Sequence, residues 1–194
     1  MKTKLLVSAI SSAIIFAACN SNNSNGAYQS NSSSGDSVNS MASASASKTG
    51  ADSAFMYKAA DAGMMEIELG NYAMKNSQNK DVKNYASMMV ADHTKAADEL
   101  KGLASSENVT LPSALTTEHQ EMVASMEKMS PKDFNKHYID MMVSDHKKVI
   151  DAFKNESQNG KDSTIVAFAS RTLPVLQKHL DSAQVVKQAI SQNQ

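Results

Sequence analysis

The sequence predicts an all-α fold: an antiparallel four-helix bundle, with a short extra helix in the connection between the second and third long helices. Three observations predict it. Beyond residue 50 the chain is dominated by Ala, Met, Leu, Lys, Glu and Gln, all strong helix formers, and all 194 residues include no tryptophan and only five phenylalanines and five tyrosines. Strand-like runs of β-branched residues are missing. Apolar residues recur in steps of three and four over four long windows, the spacing that turns one face of a helix toward a core.

The segment ahead of the bundle reads differently. MKTK is followed by the apolar run Leu5–Ala18 and then Cys19, the only cysteine of the chain. A cationic start, a short apolar run and small residues before the break describe a secretory signal peptide over residues 1–18. The run falls short of the roughly 20 apolar residues that span a bilayer. FAAC at residues 16–19 resembles a bacterial lipobox, with Phe16 where leucine is usual, and implies a lipid on Cys19 after cleavage. That lipid would be the chain's contact with a membrane, in a bacterial cell envelope at the outer membrane or in the periplasm. Residues 19–52 are Ser- and Asn-rich, too polar to offset the entropy of ordering. They are expected to form a disordered tether spanning roughly 30 Å between the lipid anchor and a folded domain at residues 53–190. A lone cysteine provides no intrachain disulfide, so the fold must rest on its core. Nineteen Lys plus Arg balance twenty Asp plus Glu, so no nucleic-acid partner is indicated, and a protein or cell-wall partner is left unspecified.

The first helix is expected from Ser53 to Asn76, with Asp52 or Ser53 as N-cap. Its stripe is Phe55, Ala59, Ala62, Glu66, Leu69 and Ala73, while Asp61, Glu68 and Lys75 fall on the polar side. The second, Lys80 to Ser105, has the stripe Val82, Ala86, Met89, His93, Ala96, Leu100 and Leu103. ENVTLPSALT, with Pro112, breaks the pattern before a short helix from Thr117 to Met129. Ser130 and Pro131 suit the cap and first position of the third long helix, which runs to Ser157 with Ile139, Met142, His146, Val149 and Phe153 inward. Gly160 closes it. The fourth, Asp162 to Ile190, carries Ile165, Phe168, Thr172, Leu176, His179, Ala183, Val186 and Ile190. Pro174 inside it should bend the helix and free the carbonyl four residues back.

Each long helix thus places one metal-capable side chain on its inward stripe: Glu66, His93, His146 and His179. YASMMVADH at 85–93 and YIDMMVSDH at 138–146 agree at six of nine positions and end on two of these histidines. His119 and His137 read as surface residues. Short turns near 77–80 and 158–161 make neighbouring helices antiparallel and bring Glu66, His93 and His146 to one level. His179, the fourth candidate ligand, lies about seven residues further along, roughly 10 Å off that level.

A buried carboxylate needs partners. A bound cation provides them, since three imidazoles and a carboxylate are a competent ligand set for Fe, Zn, Mn or Cu. A Glu–His hydrogen-bond network without metal is the alternative, and would make the domain a non-enzymatic structural or interaction module of the envelope. A di-iron carboxylate site needs Glu three residues before its histidines. Those positions hold Val90, Val143 and Leu176, so one ion fits and two do not. Met89 and Met142, one turn before His93 and His146, would suit Cu(I) but also serve as ordinary core filling. Asp92 and Asp145 could orient their neighbouring histidines. Nucleophile–base pairs, glycine-rich phosphate loops and CxxC motifs are absent, leaving hydrolysis and phosphoryl transfer without support.

FMYKAADAGMMEIELGNYAM, MMVADH, VTLP, MMVSDH and TLPVLQKHL together resemble a bacterial outer-membrane-protein domain of unknown function related to the ferritin-like bundles. The likeness covers about residues 53–190. It implies a ferritin-like four-helix bundle exported to the envelope, often lipid-anchored, and it carries no activity with it.

Overall fold

The computed structural model describes residues 39–192, with side chains from residue 50 onward. Five helices form it: α1 (Asn39–Asn76), α2 (Lys80–Ser106), α3 (Thr117–Met126), α4 (Pro131–Asn159) and α5 (Ser163–Gln192). Four are long and packed antiparallel, and α3 is the short helix expected between the second and third. Helix α1 lies along α2, α4 along α5, and α2 packs on α5; α3 leans on α1 and α4. The signal segment 1–18 and Cys19 lie outside the described residues. Among the described residues no helix is long and apolar enough to cross a membrane.

The turns follow local chemistry. Asn79 caps α2, its side chain accepting from the amides of Asp81 (2.9 Å) and Val82 (3.0 Å). Ser130 caps α4 with Pro131 in the first turn, as its sequence predicts. Helix α3 stops at Met126, short of the expected Met129. There Lys128 and Met129 donate to carbonyls only three residues back, at 3.3 and 3.1 Å, and the last turn tightens. Gly160 ends α4 because nothing larger fits: a Cβ there would come within 2.6 Å of the Glu156 carbonyl. Pro174 is accommodated without a break, and Thr172, one of the residues beside it, bonds the Phe168 carbonyl at 2.8 Å.

At the start of α1 the structure departs from expectation. The helix begins at Asn39, so residues 39–52, read as tether, are helical. Alanine alternates with serine from Ala42 to Ala46, and alanine's helix preference outweighs the serine content. Asp52 therefore caps nothing in α1. It is buried, and its carboxylate accepts from the amides of Asp162 (2.7 Å) and Lys161 (3.2 Å), clasping the α4–α5 turn.

The core falls into two apolar clusters. One gathers Leu69, Met89, Phe134, Tyr138, Met142 and Ile190. The other gathers Met56, Leu100, Phe153, Phe168 and Leu176. The buried polar residues Glu66, His93, His146 and His179 belong to neither.

Candidate metal centre

Four helices deliver these four side chains from the inward stripes that their sequences define, and the structure brings them together. His93, His146 and His179 each offer a ring nitrogen within 4.8 Å of the other two. His179, the least secure by counting residues from the turns, is a full member of this trio. Glu66 stands beside it, with Oε2 3.2 Å from His93 Nε2 and Oε1 3.5 Å from His146 Nδ1.

Two of the three histidines are fixed in orientation from outside the trio. His146 Nδ1 donates to the Met142 carbonyl, one turn earlier, at 3.0 Å. A carbonyl only accepts, so Nδ1 carries the proton and Nε2 presents a lone pair. His179 Nε2 donates to Asp92 Oδ2 at 2.9 Å, which leaves Nδ1 as its lone-pair nitrogen. These two lone-pair nitrogens lie 3.3 Å apart. Two buried acceptors this close repel unless they share a cation. His93 adds a third bare nitrogen: Nε2 is near Glu66 but not aligned for a hydrogen bond, and is buried without one.

The electrostatics keep the imidazoles neutral. Burial lowers the pKa of His93 to about 4, with Asp92 opposing. Burial also lowers His146, partly offset by Glu66, and His179, partly offset by its bond to Asp92. Glu66 is raised to about 7, chiefly by burial, with His146 pulling the other way. Neutral imidazole is the form that ligates metal. For ligand bonds of about 2.0–2.1 Å in tetrahedral geometry, adjacent ligand nitrogens lie roughly 3.3–3.4 Å apart. The 3.3 Å between His146 and His179 is that spacing.

Some roles were misplaced by the sequence. Asp92 orients His179 on another helix, not its own neighbour His93. Asp145 pairs with Lys148 at 3.0 Å and bonds no histidine. Asp61, expected on a polar face, is buried: it accepts from the Thr116 amide and hydroxyl and lies 2.8 Å from His119 Nδ1. His119 is accordingly half-buried and fastens α3 to α1, while His137 is exposed as read. The signal for Asp61 was available, because it stands in steps of four with Met65, Leu69 and Ala73. Tyr85 and Tyr138, the first letters of the repeated nonapeptides, are buried with unpaired hydroxyls, and burial raises both pKa values.

Fold and site thus define an all-helical bundle with a buried histidine trio. Residues 37–186 match the family described as domain of unknown function DUF4142, and the chain belongs to that family. No curated protein and no solved structure matches the chain.

Proposed function

We propose that this protein is a lipid-anchored lipoprotein of the bacterial cell envelope whose bundle binds one transition-metal ion through His93, His146 and His179, with Glu66 alongside, for storage, sensing or redox protection. The observation that carries the reading is the 3.3 Å approach of His146 Nε2 to His179 Nδ1, the two nitrogens left without a proton by the outside bonds to Met142 and Asp92. An ion there would be met by neutral, pre-oriented ligands, and it would also satisfy the bare Nε2 of His93. The metal-free alternative is a Glu–His network, with Glu66 Oε2 3.2 Å from His93 Nε2 and a proton between His146 and His179. Burial opposes the imidazolium this needs, and the Glu66–His93 contact is not aligned as a hydrogen bond. Three imidazoles and a carboxylate suit Zn, Fe, Mn or Cu. Met89 and Met142 are accounted for by packing in the apolar cluster. The envelope location and the lipid rest on the leader-like residues 1–18 and Cys19 of the sequence.

The test is metal analysis of tag-free protein after exposure to Fe, Zn, Mn and Cu in turn. About one ion per chain is expected, and the His93→Ala/His146→Ala double variant should carry none. Wild-type protein that stays metal-free with all four would overturn the reading.

A further inference from the structure

Beside the histidine trio the bundle is not filled. A pocket of about 340 Å³, partly open to solvent, lies among the long helices, walled by Phe55, Ala59, Ala62, Ala96, Leu100 and Phe153, with Glu66, His93 and His179 also in its lining. At the roughly 30 Å³ a water occupies, it has room for a molecule of about ten non-hydrogen atoms. It is kept open by small side chains: a larger residue at Ala59, Ala62 or Ala96 would close it. Apolar walls with polar groups at one end form a site for a molecule of the same polarity.

Coordination decides the head group. The three imidazoles bring no charge to a divalent ion; Glu66 stands beside it and the Asp92 carboxylate behind His179. With the three imidazoles as ligands and Glu66 alongside rather than bound, one tetrahedral position stays open, as in catalytic rather than structural metal sites. Lys58 and Lys148, the latter paired with Asp145, line the same cavity. Its two aspartates are already engaged, Asp92 by His179 and Asp61 by Thr116.

We propose that the cavity binds a medium-chain carboxylate, its alkyl chain against the apolar walls and its carboxylate on the open position of the ion beside Glu66. The inference rests on the metal reading above.

Calorimetric titration of the full chain with octanoate tests it, with zinc content measured on every sample. Zinc-loaded wild type should bind one octanoate per chain, and 1-octanol, of equal length but without the anionic head, at least tenfold more weakly. Ala96→Phe and Ala59→Leu, each checked for unchanged helical content, should keep their zinc and lose at least tenfold in octanoate affinity. Octanoate that fails to bind zinc-loaded protein, or binds both filled variants as tightly as wild type, overturns the pocket while leaving the metal reading standing. Protein that takes up no zinc overturns the zinc-anchored carboxylate proposed here, and the zinc measurement identifies that failure separately.

Discussion

Asp92 Oδ2 accepts a hydrogen bond from His179 Nε2 at 2.9 Å, joining a carboxylate on α2 to an imidazole on α5. This one bond selects the tautomer of His179 and turns Nδ1 toward His146. Carboxylate partners of ligating histidines typically contribute 10–100-fold in metal affinity. Asp92→Asn should therefore weaken metal binding by about that factor and leave the helical content unchanged. Competition against a chelator of known affinity measures it.

Metal removal should cost stability, because the ligand trio is assembled only in the folded chain. Ion present at 100 times its Kd stabilises by about 2.7 kcal/mol. In a domain of this size that is a Tm rise of roughly 5–10 °C. Thermal melts with and without chelator should show the rise in wild type and lose it in His146→Ala.

Glu156 gives the protein a pH dependence away from the metal. Burial first, then the charge of Asp52 and a bond to it, raise its pKa from 4.5 to about 7. The folded state thus holds the proton more tightly than the unfolded chain. The resulting stability is complete below about pH 4.5 and is lost as pH rises through 7. Glu156→Gln keeps a neutral donor toward Asp52. Its Tm should match wild type at pH 4 and exceed it by about 2–4 °C at pH 8, read from circular-dichroism melts.

Asp52 itself holds the α4–α5 turn against α1. Asp52→Ala leaves the amides of Lys161 and Asp162 without their acceptor, at a cost of about 1–3 kcal/mol. Urea unfolding should show a lower midpoint with an unchanged slope.

The helices were legible because composition and three–four periodicity agree at every level, and the stripes of α2, α4 and α5 turn inward largely as read. His93 and His146 were legible for the same reason. His179 was harder. Measured from the ends of α4 and α5, it lies about three residues farther from the turn than His146, roughly 4.5 Å of rise. Side chains lean toward the N-terminus of their helix. In an antiparallel pair that carries His146 away from the turn and His179 toward it, so their tips meet. Contacts between helices were not legible. Periodicity assigns a residue to a face but not to a partner, so Asp92 was matched to His93 instead of His179. Asp52 was read as a local cap although its acceptors serve amides more than a hundred positions away.

On this reading His93, His146 and His179 together ligate one ion. X-ray absorption of zinc-loaded, tag-free protein tests it most directly. Three imidazole nitrogens are expected at about 2.0–2.1 Å from the zinc, falling to two or fewer in His179→Ala. A zinc environment with fewer than three imidazoles in wild type, or one unchanged by that substitution, would contradict it.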